Sequence, residues 1–117
     1  MQNLDGTMWR LIEASAFDDD GHELTLSLGE QPLGFVMYEA GRMIVAVVDA
    51  RSSLPPDVPS REFAAYSGTY RFDGTELVTS TDSASRPDLA GEQIRHIRFE
   101  SPTRMRAGLK FVWERVG

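Results

Sequence analysis

Short runs of alternating apolar and polar residues, cut by Gly, Asp and Pro, constrain this chain more than any other feature. In "HELTLSL", Leu24, Leu26 and Leu28 fall on one face and Glu23, Thr25 and Ser27 on the other. Successive side chains of a strand point to opposite sides, so this period predicts a strand with one buried face. "GFVMYEAGRMIVAVVDA" divides at "EAGR" into two such runs, with Gly41 placed to supply the positive φ of a hairpin turn. "FDDDG" is a turn of the same kind after the first strand. In "YSGTYRFDGTELVTST", Tyr66, Gly68, Tyr70 and Phe72 share a face, "DG" turns the chain, and Leu77, Thr79 and Thr81 follow. "EQIRHIRFE", "TRMRAG" and "LKFVWERV" complete the set. The spacing predicts about eight or nine antiparallel strands and an all-β barrel or sandwich.

Two stretches break the alternation. "RSSLPPDVPSREFAA" carries Pro55, Pro56 and Pro59, which rules out a central strand; Ser60 is placed to cap one short helical turn near 60–65. "SASRPDLAGEQ" reads as a loop, with room for a helical turn after Pro87. Neither is long enough to link two domains, so 1–117 is expected to be one domain.

Consecutive hairpins make an up-and-down meander, whose edge strands need protection, and closing the sheet removes them. Closure sets the first strand beside the last. It would bring Trp9 next to Trp113 and Arg115, where an indole stacked on a guanidinium would plug one end of the barrel. The plain alternative makes each tryptophan a core residue.

The bulk properties exclude several functions. There is no cysteine, hence no disulfide, zinc–thiolate site or thiol nucleophile. A net charge of −6 disfavours nucleic acid. Arg95, Arg98, Arg104, Arg106, Lys110 and Arg115 crowd the last part of the chain, but alternation scatters them over several faces. No apolar run is long enough to span a membrane, and "MQNLDGTMWR" has no signal-peptide pattern, so a cytoplasmic protein is expected. Arginine so outnumbers lysine that a GC-rich bacterial genome is suggested.

"GTMWRLIEA", "LGFVMYEAGRMIVAV", "AAYSGTYRFDG" and "FVWERV", in that order, resemble the bacterial lipocalin-like domain family over nearly the whole chain. By position, the resemblance matches Trp9, Gly34, Tyr38, Arg42, Met43, Tyr66, Gly68, Tyr70, Trp113 and Arg115 to family motif residues. It implies a small antiparallel barrel with a cup inside, of a kind used both by carriers and by cyclases or isomerases of natural-product pathways. Two departures stand out. Met8 sits between Thr7 and Trp9, where the family has no residue, which predicts a bulged or shifted first strand. "STDSASRPDLAG" is small and polar where many members carry histidines and an aromatic.

A barrel of this size holds one small ligand. With Trp9 and Trp113 facing inward, the expected lining is Trp9, Leu11, Leu24, Leu26, Val36, Met43, Val45, Val47, Tyr66, Phe72, Phe111 and Trp113. A bulge would invert part of that set. Glu13, Tyr38, Tyr70 and His96 are the candidate catalytic residues. Glu13 on an apolar inner face would have a raised pKa and serve as general acid or base; at the rim, or paired with an arginine, it would do neither. If Ile97 and Phe99 face inward, Arg95, His96 and Arg98 cannot all join them, and His96 belongs outside; the functional reading makes it a base above the ligand. The tyrosine hydroxyls can serve a ligand carbonyl or a backbone partner. The Pro-rich segment around Phe63 is placed either to cover the mouth or to bridge strands.

No metal or other cofactor is expected, since the two histidines lack ligand spacing and no phosphate-binding loop or nucleophile elbow occurs. The expected function is binding of a small hydrophobic or aromatic molecule. The alternative is cofactor-free cyclisation, isomerisation or dehydration of a polyketide-like or terpenoid intermediate. A third reading is an oligomer with a barrel packed solid. No nucleic-acid or membrane partner is expected, and a homodimer is left open.

Overall fold

The structure is a computed structural model that describes residues 4–14, 16, 17, 23, 24, 32–54, 56, 57, 60–107 and 111–117. In chain order the strands are β1 (Thr7–Ala14), β2 (Ala16–Phe17), β3 (Glu23–Leu24), β4 (Pro32–Glu39), β5 (Arg42–Asp49), β6 (Phe63–Phe72), β7 (Glu76–Ala84), β8 (Gly91–Ser101), β9 (Arg104–Ala107) and β10 (Phe111–Arg115). Eight of them close into an antiparallel barrel in the order β1-β10-β9-β8-β7-β6-β5-β4, with β4 back against β1. Every neighbour in the barrel is the next barrel strand in the chain, apart from the closing pair β1–β10. The expected closed meander is what forms, and the closing pair sets Trp9 opposite Arg115 and Leu11 opposite Trp113.

Local chemistry accounts for the turns. Between β4 and β5, Ala40 (φ 50°) and Gly41 (φ 75°) both take the left-handed conformation of a two-residue hairpin turn. Between β6 and β7, the Asp73 carboxylate accepts the amides of Thr75 (2.9 Å) and Glu76 (2.7 Å), and Gly74 takes φ 103°.

Two glycines let neighbouring strands approach closely. A Cβ on Gly68 would lie 2.1 Å from the Ser80 carbonyl oxygen, and one on Gly34 would lie 2.6 Å from Val47 Cγ1 and 2.7 Å from the Ala46 oxygen. Both stand on the inner face, where a side chain would push neighbouring strands apart. Beside Gly68 the β6–β7 register slips, so that Ser67 pairs Ser83 and Gly68 pairs Thr81. The extra residue, Asp82, turns outward to Arg42 at 2.6 Å.

Four local expectations are corrected. "HELTLSL" contributes no barrel strand among its described residues: Glu23–Leu24 pairs with Ala16–Phe17 in a separate two-stranded sheet, and Leu26 lies outside the described residues. The helical turn near 60–65 is absent, because Phe63 already begins β6; the 3₁₀ turn instead spans Pro87–Leu89, where Pro fits the first helical position. The bulge of β1 is not at Met8, which pairs regularly with Met37. It falls between Leu11 and Glu13, where Ile12 is the extra residue opposite β10. Finally, the Arg115 guanidinium does not stack on Trp9; its Nε–H donates to the Gly117 carbonyl at 3.0 Å.

The core follows the alternation. Leu4, Trp9, Leu11, Val36, Tyr38, Met43, Val45, Leu77, Ile97, Met105 and Trp113 are all buried and pack as one cluster. Burying an indole as fully as Trp9 removes about 200 Å² from water, an upper bound of roughly 5 kcal/mol.

Candidate functional site

The two ends of the barrel differ. One end carries the β4–β5, β6–β7 and β8–β9 turns, and residues 4–6 lie across it. The Gly6 amide donates to the Tyr38 carbonyl (2.7 Å) and the Gly41 amide to the Asp5 carboxylate (3.1 Å). The Tyr70 hydroxyl also donates to Asp5. Leu4 is completely buried beneath this strap. The Trp9 indole N–H donates to Thr7 Oγ1 at 2.8 Å, and the Thr7 hydroxyl in turn donates to the Leu4 carbonyl. Trp9 meets Phe99 (ring centroids 6.1 Å apart), Phe99 meets Phe72 (6.1 Å), and Tyr38 meets Tyr70 edge-on (5.0 Å). That end is closed by rings.

The other end opens into a cavity of about 560 Å³. Val36, Val45, Leu77, Ile97, Met105 and Trp113 form its apolar walls. Tyr38, Tyr66, Thr79 and Arg95 also line it, and Glu62, Arg86 and Leu89 stand at its mouth. Glu62 and Arg86 form an ion pair at 3.6 Å that ties the segment before β6 to the loop before β8. Close by, the buried Asp49 carboxylate receives the Arg51 guanidinium, with Nε–H donating at 3.0 and 3.1 Å and the terminal nitrogen at 2.6 Å. Arg61 donates to the Asp49 carbonyl at 2.6 Å, which fastens the end of β5 to the stretch leading into β6. The Arg51 hydrogen bonds hold the Asp49 carboxyl below the usual carboxylate range.

The hydroxyls of Tyr38, Tyr66 and Thr79 make no hydrogen bond among the described residues, although each residue lines the cavity. Burial pushes the phenol pKa values of Tyr38 and Tyr66 up, and the Arg95 charge partly offsets this at Tyr66. Both stay protonated at neutral pH. They can donate hydrogen bonds to a guest and are poor general bases.

Of the residues predicted from sequence, Val36, Tyr38, Met43, Val45, Tyr66, Phe111 and Trp113 line the cavity together. Trp9, Leu11, Tyr70 and Phe72 face inward but belong to the core beyond it. Burial and the Asp5 hydrogen bond raise the Tyr70 pKa, so this phenol serves the closing strap. Leu26 lies outside the described residues, as does any side-chain placement of Leu24. Glu13 is corrected: it is exposed on the outer surface, because the extra residue at Ile12 reverses the facing of the strand beyond it. His96 is likewise exposed, on the face opposite Ile97. Among the described residues no group of His, Asp and Glu is arranged to hold a metal ion.

Sequence reasoning did not single out Arg95. The signal was present, since Arg95 shares the parity of Ile97 and Phe99 and pairs with inward-facing Leu77. Arg86 and Glu62 had no such signal; they come from connections with no period.

A closed eight-stranded meander, plugged at one end and hollow at the other, defines a small cup-forming barrel of the lipocalin type. The family comparison agrees: the lipocalin-like domain model matches residues 6–114, and the chain belongs to that family. No curated protein and no solved structure matches it.

Proposed function

We propose that the protein binds one small hydrophobic or aromatic molecule in the cup. The observation that carries this reading is the cavity itself, about 560 Å³ with mainly apolar walls and three hydroxyl-bearing residues, Tyr38, Tyr66 and Thr79, in its lining. Small-molecule sites combine a largely apolar enclosure of several hundred Å³ with a few polar groups that orient the guest. Tyr38, Tyr66 and Thr79 are suited to that second task, as donors to a carbonyl or hydroxyl oxygen. The catalytic alternative loses Glu13 and His96 to the outer surface, and the phenols left in the cup hold their protons too tightly to act as bases.

The test is titration with N-phenylnaphthylamine, a neutral fluorescent probe. Saturable enhancement with energy transfer from tryptophan, one probe per chain, is expected. Val45→Phe, which fills the cavity from its wall, should weaken binding by about tenfold or more while folding is retained, as seen by circular dichroism. Unchanged affinity in that variant would place the probe elsewhere and overturn the reading.

A further inference from the structure

Two guanidinium groups line the cavity, and they are in different electrostatic situations. Arg86 faces the Glu62 carboxylate. Arg95 has no carboxylate within ion-pair distance among the described residues. Its terminal nitrogens donate to neutral oxygens, the Gln93 side chain at 2.7 Å and the Ile94 carbonyl at 3.2 Å. Gln93 is itself fixed, because its amide donates to the Leu89 carbonyl at 2.7 Å. The chain Leu89–Gln93–Arg95 therefore fixes a permanent positive charge in the mainly apolar cavity lining beside Tyr66, whose phenol feels that charge.

A charge in such surroundings loses hydration, and the loss is offset when an anion occupies the same space. The guanidinium keeps N–H groups beyond those given to Gln93 and Ile94, and its planar fork matches a carboxylate. The protonated Tyr66 hydroxyl adds a donor of the kind a carboxylate oxygen accepts. We infer that the guest of the cup is an amphipathic monocarboxylate, with its apolar body against Val36, Val45, Met105 and Trp113 and its carboxylate on Arg95 and Tyr66. This rests on the reading of the cup as a binding site and narrows it to one ligand class. Gln93 acts as a positioning residue for Arg95.

The test compares naphthaleneacetate with naphthaleneethanol, an acid and an alcohol on the same ring, by calorimetry and Trp113 quenching. The wild-type chain should bind the acid about ten- to a hundredfold more tightly, the usual worth of a charge-assisted pair. Arg95→Gln should erase that preference by weakening the acid about ten- to a hundredfold, and Arg95→Lys should keep part of it. If the alcohol binds as tightly as the acid to wild type, this inference is overturned and the cup remains a binding site for neutral molecules. If neither probe binds, the proposed function falls and this inference with it. The wild-type comparison decides the matter even where a variant does not fold.

Discussion

Replacing Thr7 by valine probes the closed end of the cup without changing its shape. Thr7 Oγ1 accepts the Trp9 indole N–H at 2.8 Å, in a setting where Trp9 is 2% and Thr7 5% exposed. Valine keeps the volume but removes the acceptor, which strands the buried N–H. The Leu4 carbonyl retains the Thr7 amide at 3.1 Å, so it stays satisfied. One buried donor is left without a partner and one neutral hydrogen bond is lost, a cost of about 2 kcal/mol, or roughly 8 °C in Tm for a domain of this size. Urea unfolding followed by circular dichroism measures it, with an unchanged m-value expected. Trp9→Phe supplies the control, since phenylalanine has no N–H to strand. In that background Thr7→Val should cost only about 1 kcal/mol, leaving a coupling of about 1 kcal/mol between the two sites. Equal costs in both backgrounds would show that the indole does not depend on Thr7, and the account of the plug would be wrong.

Gly68→Ala should destabilise the barrel by about 1–3 kcal/mol, because the new Cβ meets backbone atoms of Ser80 rather than a movable side chain; a melt within 1 °C of wild type would contradict this close approach (about 0.25 kcal/mol). Stability should also fall in acid. Asp49, held by Arg51, and Asp73, held by the Glu76 and Thr75 amides, have folded pKa values below the ordinary 3.8. Groups depressed in this way add stability that is fully present above the unfolded pKa and is lost as pH falls through the folded value. The melting temperature should therefore be level above about pH 5 and drop below about pH 4, less steeply in Asp49→Asn; an identical acid limb in that variant would remove Asp49 from the account.

Reading the site from sequence succeeded where parity was unbroken. On β4 and β5, Val36, Tyr38, Met43 and Val45 fall in the cup as alternation requires, and nothing interrupts the register from Pro32–Asp49 to Glu39–Arg42. It failed at Glu13, one residue beyond a bulge that alternation does not announce. It passed over Arg95 because an arginine among arginines reads as surface, although its parity with Ile97 set it inside.

The sequence alone determined that this chain forms antiparallel strands joined by short turns, because period-two burial and turn chemistry are local properties; closure, a pairing of β1 with β10, was an expectation that the structure bears out. Which carboxylate leaves the cup and which end is sealed were decided by tertiary structure. A bulge at Ile12, a strap held by Asp5, and the Glu62–Arg86 pair all depend on residues far apart in the chain, and no local pattern encodes where such strangers meet.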